Sequence, residues 1–362
     1  MSKVLVLANH FRTLYNFRQE LLDKLSRNSD DVIIAIPEDE NDYFGKKGYS
    51  VYCIDVNRRG INPLKDIKLA LQYWKLIKEA KPDMVLTYTI KPNLYGGFCC
   101  KLLKVPYISN ITGLGSGFSN PVLKLLLKIM YKVALNKKAN IFVQNEENLE
   151  VLRAMKIKPD SIQLIPGSGV NLEKYSYTNY PESAAINFYF VSRVMREKGI
   201  DEYLCAANHC KEKGYNVKFH IFGWCEEAYG DTLERLSSDG KIVYHGMCDD
   251  MRKQYEECSC IIHPSYHEGM SNVLLEASAS GRPCICSNIS GCKEIVEDGV
   301  TGFLVNSQDS ESLIKAVEKF ISLDINTRRE MGFEARKKVE KEFDRNIIVN
   351  KYMDKINELT KG

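Results

Sequence analysis

The chain has 362 residues, of which 44% are hydrophobic and 27% are charged. These fractions are typical of globular proteins and exclude a disordered, collagen-like or low-complexity chain. The length predicts about two domains. No run approaches the roughly 18 consecutive apolar residues that a transmembrane helix needs, so the sequence predicts no membrane span.

The twelve cysteines do not indicate a disulfide framework, because they are scattered or lie as C-x-C inside apolar runs, at Cys258/Cys260 and Cys284/Cys286, where they pack as small apolar residues. Met1–Lys3 leads directly into the apolar run Val4–Ala8, which is too short for a signal-peptide core. We therefore expect reduced thiols and a cytoplasmic location. His263 and His267 have a His-x₃-His spacing, but Pro264 interrupts the helix that such a zinc site needs. No metal and no cofactor are expected.

Charge is distributed unevenly along the chain. Residues 1–170 carry a net charge of +9 and residues 171–362 one of −6, which together give the overall +3. No acidic residue lies between Asp83 and Glu146, whereas eight lysines do: Lys91, Lys101, Lys104, Lys124, Lys128, Lys132, Lys137 and Lys138. This stretch predicts an anionic partner. Nucleic acid is a poor candidate, because the stretch lacks arginine and its lysines alternate with leucines.

Short apolar runs alternate with amphipathic segments, which predicts an α/β fold with parallel sheets. The predicted strands of the first half are Val4–Ala8, Val32–Ile36, Val51–Ile54, Met84–Thr87, Tyr107–Asn110, Ile141–Val143 and Ile162–Ile165. Helices are predicted between them, notably at Tyr15–Arg27, Ile67–Ala80, Gly96–Lys104, Pro121–Asn136 and Glu146–Met155.

The alternation stops at residues 167–185, which read as a linker, and then restarts. The second set of predicted strands is Asn187–Val191, Val217–Phe222, Ile242–His245, Cys260–His263, Pro283–Ser287 and Gly302–Val305. Helices are predicted at Gly199–Lys213, Asp249–Glu257, Asn272–Ser280, Ser310–Leu323 and Thr327–Leu359, the last with a break near Phe343. Two Rossmann-like domains, 1–166 and 186–342, are expected to face a cleft, with ligands at the carboxyl ends of the strands.

The segment from Pro264 to Ala277 carries the sharpest chemical signal. It follows a strand, turns at Glu268-Gly269 and opens a helix at Ser271 or Asn272. The amides at this helix end suit an oxyanion or sugar hydroxyls. Glu276 lies one to two turns into the helix, and two carboxylates beside it suit a ligand with many hydroxyls. The alternative is that Glu268 only favours the helix dipole and Glu276 is solvated.

A second segment follows the first strand of the second half. Arg193 and Lys198 bracket the loop between this strand and a helix that begins near Gly199. An arginine fork and a lysine point charge in this place suit a diphosphate. Taken alone, basic loop residues also fit a simple solvated surface.

Together, Arg-x₄-Lys-Gly after a strand and E-G-x₆-E after His-Pro-Ser resemble glycosyltransferase family 4. Gly223, His245-Gly246 and the segment Glu294–Leu304 fit the same resemblance. It implies a retaining enzyme of the GT-B fold, with a C-terminal helix over residues 343–362 that returns to the first domain.

The resemblance also implies roles for individual residues. Arg193 and Lys198 would hold the donor diphosphate and neutralise the leaving nucleotide, and Glu268 would act with them in catalysis by gripping the transferred sugar. Glu276 would accept hydrogen bonds from the ribose. The remaining donor-binding residues would be Gly246 and Met247 at the base, and Gly269, Met270, Ser271, Asn272 and Val273 at the helix end.

The first half resembles a narrower group, the transferases that build undecaprenyl-diphosphate-linked oligosaccharides. The resemblance rests on the segments Tyr15–Arg18, Thr89–Gly96, Val105–Tyr107 and Ile111–Gly115. It implies acceptor-binding residues at Asn9, His10, Arg18, Lys91 and Thr112. The chain departs from many family members in two places. Those members carry a Gly-Gly loop where this chain has Asn9-His10, and they carry a histidine near the position of Thr112.

The predicted helix Pro121–Asn136 gives the lysine-rich stretch a possible purpose. Val122, Leu125, Leu126 and Ile129 follow helical spacing and suit the interface of an anionic membrane. The alternative is that this stripe packs in the core and the lysines are solvated.

These observations predict a metal-independent, retaining glycosyltransferase on the cytoplasmic face of the cell membrane. It would move an N-acetylhexosamine or hexose from a UDP-sugar to a polyprenyl-diphosphate-linked saccharide in bacterial surface polysaccharide or glycan assembly. The alternatives are a soluble acceptor, a sugar-nucleotide epimerase, and a membrane-docked scaffold with a vestigial nucleotide site. A nicotinamide dehydrogenase is excluded because no G-x-G-x-x-G follows Val4–Ala8. The sequence carries no signal for the oligomeric state.

Overall fold

The computed structural model describes residues 2–28, 31–56, 62–113, 121–225 and 229–361. The chain divides into two compact units, residues 1–168 with 346–362 and residues 169–345. We refer to them as the first and second unit. Within the described ranges, no helix has the length and hydrophobicity needed to cross a membrane.

The first unit contains a seven-stranded sheet. Its strands are β1 (Lys3–Leu7), β2 (Asp31–Ile36), β3 (Ser50–Cys53), β4 (Met84–Tyr88), β5 (Tyr107–Ile111), β6 (Ala139–Val143) and β7 (Ser161–Leu164). Its helices are α1 (Phe11–Phe17), α2 (Gln19–Arg27), α3 (Tyr43–Lys46), α4 (Pro63–Ala80), α5 (Gly97–Leu103), α6 (Pro121–Leu135) and α7 (Glu146–Ala154). A π-helical turn, Pro92–Gly96, precedes α5.

The second unit contains a six-stranded sheet. Its strands are β8 (Ile186–Val191), β9 (Val217–Phe222), β10 (Val243–Gly246), β11 (Cys260–His263), β12 (Cys284–Ser287) and β13 (Gly302–Val305). Its helices are α8 (Ile200–Glu212), α9 (Gly230–Ser238), α10 (Arg252–Glu257), α11 (Asn272–Ala279), α12 (Ser310–Ser322) and α13 (Ile325–Glu342). The last helix of the chain, α14 (Arg345–Lys361), begins at the end of this unit.

Both sheets are parallel and doubly wound. The strand orders are β3-β2-β1-β4-β5-β6-β7 and β10-β9-β8-β11-β12-β13. In the first sheet, β4, β5 and β6 are buried at every residue, because helices cover both faces. The order reverses next to β1 and next to β8, and these switch points open crevices at the carboxyl ends of the strands.

Two apolar cores lie on opposite faces of the first sheet. One core joins the sheet to α4, α5, α6 and α7, and the other joins it to α1, α2 and α3. The second of these cores also contains Ile348, Tyr352 and Ile356 of α14. The last helix thus packs on the first unit, as the resemblance to the GT-B fold implies.

The predicted α/β class with two Rossmann-like halves is confirmed, and each of the thirteen predicted strands is present. The expected break near Phe343 separates α13 from α14. The expected helix Tyr15–Arg27 instead begins at Phe11 and is interrupted at Arg18, whose φ of −135° is not helical. The prediction missed α3, which has only four residues, and α9.

Candidate active site

The candidate site of the second unit lies at the carboxyl end of β11. The chain leaves this strand at His263 and reaches the N-terminus of α11 at Ser271. The Ser271 hydroxyl caps the helix by accepting a hydrogen bond from the Leu274 amide at 3.4 Å. The segment therefore has the strand, loop and capped helix that its sequence predicts.

A buried ion pair occupies the loop before α11. Lys198 Nζ lies 2.6 Å from Glu268 Oε1, and both side chains are about one-sixth exposed, at 16% and 15%. His263 Nε2 lies 2.9 Å from the same oxygen, and its side chain is only 2% exposed. One carboxylate oxygen is thus held by two nitrogen groups from separate strand ends.

These contacts keep the Glu268 carboxylate ionised. Burial by itself would raise the pKa, but the hydrogen bond and charge of His263 and the nearby Lys198 ammonium outweigh it and lower the pKa to about 2. The group therefore carries a negative charge throughout the physiological pH range. An ionised carboxylate acts only as a hydrogen-bond acceptor, which suits sugar hydroxyls.

Close backbone contacts hold the loops of the site together. Gly199 has a φ of +76°, and a Cβ atom there would lie 2.1 Å from the Pro264 carbonyl oxygen. The Tyr266 amide donates to the Glu197 carbonyl at 3.0 Å. Lys198 is thus carried on a turn that packs directly against the Glu268 loop.

A second contact comes from the chain after β12. Gly291 has a φ of +88°, and a Cβ atom there would lie 2.8 Å from the Gly269 carbonyl oxygen and 2.9 Å from that of Glu268. The Ser271 amide donates to the Gly291 carbonyl at 2.9 Å. This bond corrects the expectation that the Ser271 amide binds a ligand, because the amide already serves the fold.

The first turn of α11 still presents donors to a ligand. The first N–H groups of a helix have no intrahelical acceptor. The Ser271 hydroxyl satisfies Leu274, whereas Asn272 and Val273 occupy the two preceding positions of the helix. Their amides are therefore the donors that this helix end could offer to an anion. Met270, in contrast, is buried at 7% exposure and packs in the core.

Glu276 lies further along α11 and is half-buried. Tyr255 Oη donates to Glu276 Oε2 at 3.4 Å, and Tyr175 also hydrogen-bonds to this carboxylate. Burial raises the pKa of Glu276 to about 7, against the opposing effects of the Tyr175 hydrogen bond and of the nearby Lys174 and Arg345 charges. The alternative of a solvated helix residue is therefore wrong.

The remaining donor-side candidates lie at neighbouring strand ends. Arg193 is exposed just after β8. Gly223, with a φ of +149°, packs its backbone against the Ser192 carbonyl, and its amide donates to the Gly246 carbonyl at 2.7 Å. Met247 follows with 60% exposure. The ends of β8, β9 and β10 are therefore joined by backbone contacts.

The acceptor candidates of the first unit follow the adjacent strands β1, β4 and β5, except Arg18, which lies at the break between α1 and α2. Asn9 and His10 are half-buried after β1, and His10 Nδ1 caps α1 by accepting from the Arg12 amide at 3.1 Å. Arg18 is only 4% exposed. Its guanidinium lies 4.8 Å from the Tyr88 ring centre and 5.8 Å from that of Tyr352 in α14. Arg18 thus joins α14 to the sheet.

Lys91 and Thr112 lie near the carboxyl ends of β4 and β5. Lys91 Nζ is 2.6 Å from Asp66 Oδ1 of α4, and the two side chains are 13% and 10% exposed. Thr112 is half-buried just after β5. The sequence indicated Lys91 but gave no sign of its carboxylate partner.

The apolar stripe of α6 is exposed rather than part of the core. Leu125, Leu126 and Ile129 are 61%, 48% and 52% exposed, whereas the Val122 side chain lies outside the described residues. Exposed apolar residues continue on α5 and α4, and α5 packs between α4 and α6. We call this set the apolar helix surface: Leu64, Ile67 and Leu71 of α4, Phe98 and Leu102 of α5, and Leu125, Leu126, Ile129 and Val133 of α6.

Sequence reasoning missed several supporting residues. Tyr175 and Tyr255 reach Glu276 from distant parts of the chain, and no local motif announces them. Leu64, Ile67 and Leu71 stand at positions i, i+3 and i+7, and this spacing could have indicated the apolar row on α4. In the parts of the chain that the structure describes, no group of three or more His, Cys, Asp or Glu side chains is placed to hold a metal ion.

Comparisons with known proteins identify both halves of the chain. A family model described as glycosyl transferases group 1 matches residues 185–322, and one described as glycosyl transferase 4-like matches residues 3–145. An N,N'-diacetylbacillosaminyl-diphospho-undecaprenol alpha-1,3-N-acetylgalactosaminyltransferase of Campylobacter jejuni is 25% identical, over 94% of each chain. A UDP-Gal:alpha-D-GlcNAc-diphosphoundecaprenol alpha-1,3-galactosyltransferase of Escherichia coli is 28% identical, over 83% of this chain and 81% of its own.

The fold agrees with these matches. Anabaena HepE, solved in complex with UDP and glucose, superposes with a TM-score of 0.80 at 16% identity, over 99% of this chain and 100% of its own. The GT-B fold predicted from the resemblance is thereby confirmed. Residues 3–145 thus match a glycosyl transferase 4-like domain and residues 185–322 a glycosyl transferases group 1 domain, and the chain is a glycosyltransferase.

Proposed function

We propose that this glycosyltransferase moves a sugar from a UDP-sugar to a polyprenyl-diphosphate-linked saccharide at an anionic membrane surface, with retention of anomeric configuration. The observation that carries the donor half of this proposal is the Lys198–Glu268–His263 cluster beside the N-terminus of α11. The relatives from Campylobacter jejuni and Escherichia coli, whose names specify undecaprenyl-diphosphate-linked saccharides, support the acceptor half.

The donor diphosphate would bind between Arg193, Lys198 and the first amides of α11. As the bond from the sugar to the diphosphate breaks, negative charge develops on the leaving phosphate oxygen. Fixed positive groups that already face this oxygen stabilise the transition state without reorganisation. In a front-face reaction the leaving diphosphate takes the proton of the acceptor hydroxyl, so retention needs no separate protein base.

The two glutamates would recognise different parts of the donor. Glu268, ionised and held in place by Lys198 and His263, would accept hydrogen bonds from the transferred sugar. Glu276, fixed by Tyr175 and Tyr255, would accept from the ribose hydroxyls. Gly246 and Met247 would contact the base. Because both carboxylates are held by neighbouring side chains, little side-chain entropy is lost on binding.

We also propose that the reaction is independent of metal ions. The sequence contains no Asp-x-Asp motif, and Arg193 and Lys198 supply the positive charge that a divalent ion would bring to a diphosphate. Full turnover in excess EDTA is expected. Loss of turnover in EDTA that Mg²⁺ or Mn²⁺ restores would contradict this part of the proposal.

The acceptor would reach the first unit from the cytoplasmic face of the membrane. The apolar helix surface presents large side chains such as Leu64 at 79% and Leu71 at 63% exposure. No acidic residue lies between Asp83 and Glu146, so all charged residues of α5 and α6 are lysines. Apolar insertion and lysine attraction, about 1 kcal/mol for each lysine near an anionic surface, act together there. Asn9, His10, Arg18, Lys91 and Thr112 remain the proposed acceptor residues.

A transfer assay tests the proposal directly. Purified protein is incubated with a panel of UDP-sugars and vesicles that contain a polyprenyl-diphosphate N-acetylhexosamine, and the lipid product is analysed by mass spectrometry and NMR. We expect one UDP-sugar to extend the lipid with the same anomeric configuration as in the donor. An inverted product would contradict retention.

Two parallel reactions separate the alternatives. Equal transfer to the free N-acetylhexosamine without lipid would favour a soluble acceptor. UDP binding without transfer from any UDP-sugar would favour a scaffold and overturn the proposed activity.

A further inference from the structure

The Asp66–Lys91 pair stands out among the ion pairs of the first unit because it is short and almost enclosed. Its 2.6 Å separation joins α4 to the loop after β4, and both side chains are at most 13% exposed. Tyr95 adds a hydrogen bond from its hydroxyl to the same carboxylate. Asp66 thus holds Lys91 from one side while Tyr95 fixes the carboxylate itself.

Stability alone is a weak reason for such a pair. Removing two charges from water costs several kcal/mol, and well-packed apolar residues often replace buried ion pairs without loss of stability. A buried pair does fix the position of each charge. What the pair contributes is therefore a fixed position for the Lys91 ammonium.

The backbone around Lys91 is strained, as at many ligand sites. Thr89 has a φ of +73°, which is unusual for a β-branched residue. Directly after Lys91, residues Pro92–Gly96 form a π-helical turn. Asn93 is anchored in this turn by a 2.7 Å hydrogen bond from Thr87 and a 2.8 Å bond to the Asn110 carbonyl. Three features thus converge at the carboxyl end of β4, where parallel sheets bind their ligands.

The location of Asp66 links this loop to the apolar helix surface. Asp66 is buried at 7% exposure, whereas Leu64 and Ile67 beside it on α4 are exposed at 79% and 58%. The same turn of helix therefore presents apolar groups outward and holds Lys91 inward. A lipid whose chain contacts the apolar helix surface would place its phosphates close to the loop that carries Lys91.

We propose that Asp66 is a positioning residue that holds the Lys91 ammonium for the diphosphate of the lipid-linked acceptor. This inference rests on the proposed function and names the group that orients its acceptor site. An ammonium has three N–H donors, so it can bond a carboxylate and a phosphate oxygen at the same time. Protein kinases use this arrangement, in which a helix glutamate positions the lysine that contacts the nucleotide phosphates.

The test compares Asp66→Asn with a matched variant elsewhere in the same unit. Asp23 forms a similar trio, with Lys47 Nζ at 3.4 Å and Tyr49 Oη at 2.9 Å, but on α2. For each variant, the KM and kcat of the lipid acceptor are measured together with the UDP dissociation constant and the thermal midpoint. The assay is repeated with an acceptor that carries the same saccharide on a neutral alkyl chain.

For Asp66→Asn we expect a rise of about tenfold in the KM of the diphosphate acceptor, with kcat within about twofold and UDP affinity unchanged. The KM of the neutral acceptor stays the same. Asp66→Glu recovers part of the loss, and Asp23→Asn has no effect on any acceptor. Tyr95→Phe, which removes only a hydroxyl, gives a smaller rise in the same direction and serves if Asp66→Asn does not fold.

Three results would overturn the inference while leaving the proposed function in place. They are an unchanged KM for the diphosphate acceptor in both Asp66→Asn and Tyr95→Phe, an equal loss with the neutral acceptor, and an equal loss in Asp23→Asn. If the wild-type protein extends no lipid-diphosphate acceptor, the proposed function itself fails. The two failures are therefore distinguishable.

Discussion

The two units hold their candidate ligand residues in different ways. In the second unit, close backbone contacts at glycines hold the strand ends and loops together, and Lys198, Glu268 and His263 form one charged cluster in front of α11. In the first unit, His10 caps a helix, Arg18 is buried between tyrosines and Lys91 is paired with Asp66. The apolar helix surface also belongs to the first unit.

This difference corresponds to the two substrates that we propose. A nucleotide diphosphate is small, polar and always the same, so a preformed set of charges can recognise it. A lipid-linked saccharide is presented by a membrane, so part of its recognition can be left to a surface that contacts the bilayer. We therefore expect substitutions in one unit to impair recognition of one substrate and to leave recognition of the other unchanged.

The largest effect is expected at the charged cluster of the second unit. Lys198→Met removes the cation that we propose faces the leaving diphosphate, and it leaves Glu268 with one partner fewer. We expect kcat to fall by about 10²–10³, the usual loss for one transition-state donor. Lys211→Met, an exposed lysine of the same unit, is the control and keeps full activity. Wild-type kcat in Lys198→Met would exclude Lys198 from the reaction.

The next effect concerns the apolar helix surface. We expect Leu64→Glu with Leu71→Glu to lower the affinity for vesicles rich in anionic lipid by about 100-fold, because apolar area is lost and like charge is added. Binding is measured by sedimentation with vesicles. Val300→Glu with Ile325→Glu changes two exposed apolar residues of the second unit and should bind normally. Equal losses in both pairs would show that the effect is not specific to this surface.

A smaller effect is expected at Gly291, which packs against the loop that carries Glu268. Gly291 and Gly48 have nearly the same φ, +88° and +87°, but only at Gly291 would a Cβ atom meet backbone. Both alanine variants share the strain of a positive φ, so their difference isolates the close contact. We expect Gly291→Ala to lose about 2 kcal/mol more in the free energy of unfolding and to lose activity as well. Equal stabilities in denaturant titrations would contradict this packing.

The smallest effect is a pH dependence at Glu276. Its pKa of about 7 means that the carboxylate is protonated below neutral pH and accepts fewer hydrogen bonds. We expect UDP affinity in the wild type to fall by about tenfold in all between pH 8 and pH 5, and to change less in Glu276→Gln. A pH-dependent affinity in Glu276→Gln equal to that of the wild type would exclude Glu276 as its source.

The same group affects stability with a defined sign. Between its ordinary pKa of 4.5 and about 7, the folded protein keeps a proton that the unfolded chain has released. Stability from this group is therefore present at low pH and is lost as the pH rises through 7. The thermal midpoint of Glu276→Gln should exceed that of the wild type by more at pH 8 than at pH 5.

Local patterns predicted most of the fold and the donor-side loops. Strands with continuous apolar runs and the serine cap of α11 depend on residues close in sequence, so they could be read directly. The partners Asp66 of Lys91 and Tyr352 of Arg18 could not be predicted, because the fold brings them from distant segments. Whether Leu125 is exposed could not be predicted either, because the spacing of apolar residues does not show whether another element covers them.

The most direct test of the central claim is nucleotide binding measured by thermal shift with UDP, GDP, ADP, CMP and TDP. A nucleotide at about 100 times its dissociation constant adds about 2.7 kcal/mol of apparent stability. The account predicts that UDP alone stabilises the wild type and that Lys198→Met and Glu276→Gln weaken this effect, whereas Asp66→Asn does not. Stabilisation by another nucleotide in place of UDP, or by none, would contradict it.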